Sequence, residues 1–515
     1  MKKNYYITTA IAYASDTPHI GNVYEVILAD AIARFKRLDG YNVLFQTGTD
    51  EHGLKIEKAA KKRNIKSQIY VDQVSRNIKS IYDSVNISYD NFVRTSNSNH
   101  KKIVQDIFKK LYEKGDIYLG KYSGWYSVSE ESFVLEKDII DGKGPRGDKL
   151  EWMEEEVYFF KMSKYREKLI SHIEKNPEFI QPEKRKNEMI QNFLKADLHD
   201  LSISRTSFEW GVPVEFDKKH IIYVWIDALS NYITGLEYNT KKSSLLMQEY
   251  WPADLHLIGK DILRFHTIYW PIILMALDLP LPKKIFGHPW VLIDKGKMSK
   301  SKGNVMYTKD LLKYFSLDTI RYYVLHEIPF SEDGNMTYEL IIERNNSDLS
   351  NTLGNLLNRT IGMIKKYRDG KLHKPLNMRS FEFDLPKSAL EVLPKMRKLM
   401  EEIKVSDSLE LIMILARKAN KYIEFTEPWK LYKKNMNNEL DTVLYNLTET
   451  IRFIGVLIQP FLPDTASKIF NQLGDCPTSF ESLSKFGAID ERTISKSFVL
   501  FERYDPEKKL EEILK

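Results

Sequence analysis

Pro18-His19-Ile20-Gly21-Asn22 decides how the chain is read. Before it, Tyr5-Tyr6-Ile7-Thr8-Thr9 is β-branched and aromatic, the composition of a strand. After it, residues 23–38 carry apolar side chains at helical spacing and stop at Asp39-Gly40, a helix end. The stretch is a strand-to-helix turn that sets an imidazole, an amide and backbone N–H groups at a helix N-terminus, where the dipole favours an anion such as phosphate. The same residues suit a tight turn whose histidine satisfies a core hydrogen bond, and the turn alone leaves both readings open.

Outward from the turn the pattern stays α/β. Val43-Leu44-Phe45 reads as a second strand, followed by the polar run Gln46-Thr47-Gly48-Thr49-Asp50-Glu51-His52-Gly53. In open parallel sheets ligands sit beyond the carboxyl ends of the strands, so Asp50 and His52 are placed to meet one. Asp50 equally suits the N-cap of a helix from Lys55. Residues 116–220 change character: 124–133 read as strand and turn, 142–147 as a loop, and highly charged helical segments follow through Leu194. This is an insertion between two halves of the sheet domain. The second half resumes with residues 221–228, a strand running into the helix of Tyr232, and with 254–261, a strand ending in a Gly-Lys-Asp loop before Phe265-His266. Trp225, Tyr232 and His266 would wall an apolar pocket with one polar handle, although aromatic residues so placed more often belong to a core. Lys295-Gly296-Lys297-Met298-Ser299-Lys300-Ser301-Lys302-Gly303-Asn304 makes poor core and a good polyphosphate clamp, or a solvated basic loop.

Composition bounds the rest. A chain of 515 residues exceeds one ordinary core, and two to four domains are expected. Lys+Arg 77 against Asp+Glu 71 gives a net charge of +6, compatible with a nucleic-acid partner without requiring one. The single Cys476 excludes an internal disulfide and a multi-cysteine zinc site, and no two of the eleven histidines stand three to five apart. Lys2-Lys3 before an apolar stretch loosely imitates a signal peptide, but cleavage would remove the first strand. A cytoplasmic protein is expected. The apolar run 268–277 contains Pro271 and is too short for a bilayer span.

His19-Ile20-Gly21-Asn22 and Lys297-Met298-Ser299-Lys300-Ser301, in that order on a split nucleotide-binding fold, resemble the class I aminoacyl-tRNA synthetases. Residues 10–14, 47–53, Arg205, 223–228 and 258–266 narrow the likeness to the methionyl-tRNA synthetase family. The resemblance implies a split Rossmann-like parallel sheet domain with an α+β insertion, followed by an all-α anticodon-binding helix bundle. It divides the chain into catalytic halves at 1–115 and 221–290, a connective insertion at 116–220, a KMSKS-loop and stem-contact region at 291–344, and the helical domain at 345–515. It implies a methionine pocket from Ile11, Tyr13, Trp225, Ala228, Tyr232, Ile262 and His266, with Asp50 on the substrate ammonium. His19, Gly21 and Asn22 would hold ATP, with Gly259, Asp261 and Val291 near the adenosine, and Lys297, Ser299 and Lys300 at the phosphates. His19, Asn22, Lys297 and Lys300 would be catalytic. Asn22 stands where many class I enzymes have histidine; an amide donates a hydrogen bond but carries no charge.

These roles imply that methionine and Mg·ATP (the cofactors being ATP and Mg2+) give methionyl-adenylate and pyrophosphate, and that the 3′ adenosine of tRNA(Met) then takes the methionyl group. No protein nucleophile is needed, since positioning and charge stabilisation suffice. Helices are read at 345–367, 385–405, 408–425, 440–457 and 463–473. The resemblance assigns the anticodon to Asn355, Arg359 and Trp429, and aromatic faces with Arg or Asn donors do hold unstacked bases. Trp429 would also serve as a helix-end core residue. Zinc-binding relatives carry cysteine knuckles where this chain has Ser127 and Glu130, so no structural zinc is expected. Residues 505–515 read as a charged tail, and a monomer without membrane association is expected. The competing readings are a nucleotidylyltransferase without tRNA, a non-catalytic RNA-binding descendant, and a class I synthetase for another aliphatic amino acid.

Overall fold

The computed structural model describes residues 2–127, 132–134, 139–145, 147–195, 198–293, 296–297, 305–375 and 384–515. The chain forms two compact units, Met1–Ala29 with Asn42–His288, and Asp30–Tyr41 with Pro289–Lys515.

The first unit is built on seven parallel strands: β1 (Asn4–Thr9), β2 (Ala12–Tyr13), β3 (Asn42–Asp50), β4 (Asn91–Arg94), β5 (Ile180–Gln181), β6 (Leu255–Gly259) and β7 (Ile285–His288). β3 lies between β4 and β1, and β6, β7 and β5 follow on the far side of β1. Gln46 marks the register, facing Thr8 of β1 on one edge and Asn91 of β4 on the other. The order of connection reverses between β1 and β6, so the crevice beyond their carboxyl ends is the switch point where such sheets take ligands. Helix α1 (Ile20–Leu38) starts there, directly after the 18–22 turn.

β3 runs five residues beyond Phe45. The polar run read as a loop is instead strand through Asp50, because the buried side chains of Gln46, Thr47 and Thr49 find partners. Gln46 Nε2 donates to the carbonyl and side-chain oxygens of Asn231 at 3.0 Å, and Thr9 Oγ1 donates to Thr47 Oγ1 at 2.8 Å. Thr49 Oγ1 donates to Glu51 Oε1 at 2.6 Å. Nor does Asp50 cap the next helix, which spans Leu54–Lys62 and has Gly53 at its N-cap with no side-chain bond.

The insertion carries an antiparallel sheet in which Ile117–Ser127 pairs along its whole length with Leu150–Phe160. The second of these strands was expected to be helical. Its run of carboxylates gives no strand alternation in sequence, and only the pairing, with Glu156 opposite Lys121 and Trp152 opposite Trp125, settles it as a strand. Ile180–Gln181, also within the insertion, returns to pair with β7 as an edge strand of the main sheet. Asp217–Ile222 pairs antiparallel with Ser204–Arg205 and Pro213–Val214, outside the parallel sheet. Where zinc-binding relatives carry a knuckle, Ser127 Oγ donates to the Asp148 carboxylate, while Glu130 lies outside the described residues.

In the second unit Asp30 is fully buried, and its Oδ2 accepts from Arg34 Nε and from Arg321 Nη2, both at 2.8 Å. Arg321 Nε donates to the Phe461 carbonyl at 2.7 Å, which leaves the buried guanidinium paired as well as neutralised. The helix Asn437–Ile458 is buried almost end to end and forms the axis of the bundle. On it Glu449 and Arg452 form a buried bidentate pair. Glu449 also accepts from the N–H groups of Gly487, Ala488 and Ile489, and Arg452 donates to the carbonyls of Pro477 and Ser482. The final segment read as a charged tail ends in a helix, Pro506–Leu514. Asp505 caps it by accepting from Lys508 N, and Pro506 supplies the preset φ of a first turn. Among the described residues no helix is long and apolar enough to cross a membrane.

Candidate active site

At the carboxyl edge of the sheet α1 opens on mutually capping residues. His19 N donates to Asn22 Oδ1 at 3.2 Å, and Gly21 N donates to His19 Nδ1 at 3.1 Å. An imidazole that accepts at Nδ1 carries its proton on Nε2 when neutral. Asn22 is exposed, and His19 and Gly21 are half-buried. The turn therefore caps its own helix while keeping its polar atoms at the helix N-terminus.

Across the switch point β6 ends at Gly259 and continues through a tight turn, Lys260–Ile262, into a wide helical turn at Phe265–Tyr269. His266 Nδ1 donates to the Ile262 carbonyl at 3.0 Å, so Nε2 is the acceptor for the Tyr232 hydroxyl at 2.7 Å. Burial lowers the His266 pKa to about 4, and the ring is neutral at pH 7. The Tyr232 ring lies 4.2 Å from that of His256. His256 accepts from Trp270 Nε1 at 3.2 Å and donates from Nδ1 to Thr8 Oγ1 at 2.6 Å. Burial, with His266 nearby, pushes its pKa well down too. Trp225 stacks on Phe265 at 3.7 Å and 5°, with the His266 ring edge-on at 6.4 Å. Ala228 follows Trp225 on helix Val224–Leu229 and is buried. Ile262 and Ile11 are half-buried.

Tyr13 of β2 faces Asp50 of β3 in register, with Lys55 over its ring at 5.7 Å. Next along, Glu51 is fully buried and locked by Arg94 at 2.7 and 3.0 Å. His52, expected to meet a ligand, instead turns inward and donates from Nδ1 to Asp227 Oδ2 at 2.7 Å. Asp227 Oδ1 takes His100 Nε2 at 2.8 Å. Burial pushes the Asp227 carboxyl up, but the two imidazoles outweigh it and hold the pKa down at about 2. On the other flank, Gly259 is tight against its neighbour, since an added Cβ would meet Asp261 Oδ1 at 2.7 Å. His288 donates to Glu25 Oε2 at 2.9 Å; burial raises the Glu25 pKa and the imidazole offsets part of the rise.

In the second unit Val291 begins a short strand, Val291–Ile293, in which Leu292 pairs antiparallel with Lys297. Of Lys297 only the backbone is described, and Ser299 and Lys300 lie outside the described residues.

Comparison with known proteins bears on this arrangement. The family described as tRNA synthetases class I (M) matches residues 5–149 and 134–361, and the anticodon binding domain of methionyl tRNA ligase matches 378–496. Methionine–tRNA ligase of Clostridium acetobutylicum is 52% identical over 517 residues, 100% of this chain and 80% of that protein. The enzyme of Clostridium tetani is 53% identical over 515 residues, 99% and 80% of the two chains. The chain belongs to the methionyl-tRNA synthetase family. Among solved structures of that family, Mycobacterium tuberculosis methionyl-tRNA synthetase in complex with methionyl-adenylate superposes with a TM-score of 0.93 at 41% identity, covering 97% of this chain and 100% of that one. The apo form of the same synthetase gives 0.85 at 39% identity, covering 98% and 99%.

The synthetase family's helical domain places Asn355 and Arg359 one turn apart at the start of Asn355–Arg368, with Asn355 exposed. Arg359 Nη2 donates to Glu424 Oε1 at 2.6 Å. Trp429 is half-buried on the separate short helix Pro428–Lys433, where Glu427 turns the chain at φ 42°. One turn further, Tyr432 stacks on Tyr367 at 4.6 Å. Sequence reading left out His256, the stacking role of Phe265, and the partnership of His52 with Asp227 and His100. The first two lie next to residues it had chosen, whereas the third joins three distant segments and leaves no local signal.

Proposed function

We propose that the chain activates L-methionine with Mg·ATP, forming methionyl-adenylate and pyrophosphate, and transfers methionine to the 3′ adenosine of tRNA(Met). The observation that carries this reading is the Tyr232–His266–Ile262 hydrogen-bond chain at the switch point, on the same sheet edge as the His19–Asn22 turn. A thioether is apolar, uncharged and weakly accepting, and a neutral imidazole beside stacked aromatic rings suits it where a cation would not. Trp225, Ala228, Tyr232, Ile262, His266, Ile11 and Tyr13 would line the methionine site, with Asp50 pairing with the ammonium as a charge-assisted contact.

His19, Gly21 and Asn22 would bind ATP at the helix N-terminus, where the substrate's triphosphate meets backbone donors and a positive dipole end. Gly259, Asp261 and Val291 would serve the adenosine. Lys297, Ser299 and Lys300 would neutralise the leaving pyrophosphate. In this mechanism the methionine carboxylate attacks the α-phosphorus, the bond to pyrophosphate breaks, and the protein supplies orientation and charge rather than a covalent intermediate. Asn355, Arg359 and Trp429 would read the anticodon, and the enzyme would act as a cytoplasmic monomer. Purified protein should catalyse methionine-dependent ATP–pyrophosphate exchange. Absence of exchange with methionine, alongside exchange with another aliphatic amino acid, would overturn the reading.

A further inference from the structure

The His52–Asp227–His100 group has no part in the mechanism just given, yet both oxygens of its buried carboxylate are hydrogen-bonded. We propose that Asp227 is a positioning residue for methionine recognition: it ties the strand end that carries Asp50 to the helix that carries Trp225 and Ala228, and so fixes the ammonium partner relative to the side-chain pocket. The inference rests on the assignment of Asp50 to the substrate ammonium.

Both carboxylate oxygens of the tie are accounted for. Asp227 is fully buried on Val224–Leu229, between Trp225 and Ala228. Its Oδ2 accepts from His52, two residues past Asp50, and its Oδ1 accepts from His100 on helix Ser98–Glu113. The other nitrogen of His100 bonds Thr234 Oγ1 at 2.7 Å, which anchors the cluster to the helix of Tyr232. The segment beside Asp50 is gripped further by Trp210. Its indole N–H donates to the Glu51 carbonyl at 2.6 Å, its ring lies 5.4 Å from that of His52, and its carbonyl accepts from Gly53 N at 3.1 Å. A carboxylate buried without cations nearby is expensive, and two imidazole donors are the minimum that satisfies both oxygens. Val224, Ile226 and Leu229 hold the helix by packing, while the strand end keeps Trp210 and Arg94, so loosening the tie shifts the two relative to one another without unfolding either. A charged contact to a small ligand tolerates displacements of only about 0.5 Å before its directionality is lost.

Asp227→Asn offers an amide NH2 to one of two N–H donors and breaks one bond. The expected result is a rise of about tenfold in KM for methionine, the effect of one lost buried charge-assisted hydrogen bond, with KM for ATP within twofold. Binding of 4-(methylsulfanyl)butanoate, which is methionine without its amino group, should change by less than twofold when measured as competitive inhibition of exchange. A merely structural role would weaken both ligands together and raise the KM for ATP as well, and that pattern overturns the proposal. His52→Asn, whose side-chain N–H can replace Nδ1–H, should keep KM near wild type while His52→Ala matches Asp227→Asn. This pair keeps the test decisive if Asp227→Asn does not fold. Asp50→Asn is the reference: if it leaves KM for methionine unchanged, the reading of Asp50 fails and this proposal with it. If Asp50→Asn raises KM and neither Asp227→Asn nor His52→Ala does, the proposal alone fails.

Discussion

Burial keeps His266 uncharged at neutral pH, and the same burial makes it a source of acid sensitivity. Its folded pKa of about 4 lies below the ordinary value of 6.5, so between those values the unfolded chain binds the extra proton and the folded one does not. Stability contributed by the neutral ring is whole above about pH 6.5 and falls as pH drops toward 4, by up to roughly 3 kcal/mol. His256 shifts in the same direction for the same reason. Melting temperature should be flat from pH 8 to 7 and drop steeply below 6, and His266→Gln should show a shallower drop. The pocket's apolar character sets a second expectation. Homocysteine differs from methionine by one methyl group, and an apolar wall discriminates such a group by only roughly 10–200-fold. Homocysteine should therefore support measurable pyrophosphate exchange and be released as its cyclic thiolactone, and a complete lack of exchange would contradict the assigned pocket.

At the scale of elements, β3 shows how a strand can be sequence-polar and structurally central. Gly48 faces Val93 across the β3–β4 ladder, and a Cβ at Gly48 would stand 2.0 Å from the Val93 carbonyl oxygen. Gly48→Ala must push β4 away and should cost about 3 kcal/mol or more, read as a lower midpoint in urea unfolding. β1, β6 and the C-terminal helices were legible because apolar runs and periodicity report burial, whereas β4, β5 and β7 were not read, and residues 221–228 instead pair outside the parallel sheet and turn helical at Val224. The polar half of β3 was not legible, since Gln46, Thr47 and Thr49 are satisfied by Asn231, Thr9 and Glu51, partners that no local window contains. Leu150–Phe160 failed for a related reason: its carboxylates imitate a solvated helix until the partner strand at 117–127 is known. The aromatic pocket was legible as a set of residues, but the direction of its hydrogen bonds was not, because tautomers follow from neighbours in space.

For the molecule as a whole, the proposed anticodon residues can be tested apart from the proposed methionine site. Trp429→Ala should lower aminoacylation of tRNA(Met) by the loss of about 1–3 kcal/mol of base stacking, while methionine-dependent exchange proceeds at the wild-type rate. Exchange falling in parallel would argue that Trp429 is a core residue instead. The Glu449–Arg452 pair is the corresponding structural anchor of the second unit. Glu449→Gln leaves Arg452 buried beside a neutral amide and should destabilise that unit by about 3–5 kcal/mol, detectable as an earlier calorimetric transition. The buried bond between Asp30 and Arg321 has a further consequence for how the protein is made. The two residues are 291 positions apart, so at about 5–20 residues per second the ribosome needs roughly 15–60 s after Asp30 before its partner exists. Throughout that interval Asp30 has Arg34, on its own helix, as its charged partner, and the second guanidinium is still to come. The core of the second unit can therefore close its buried ion pair only once translation is past its midpoint.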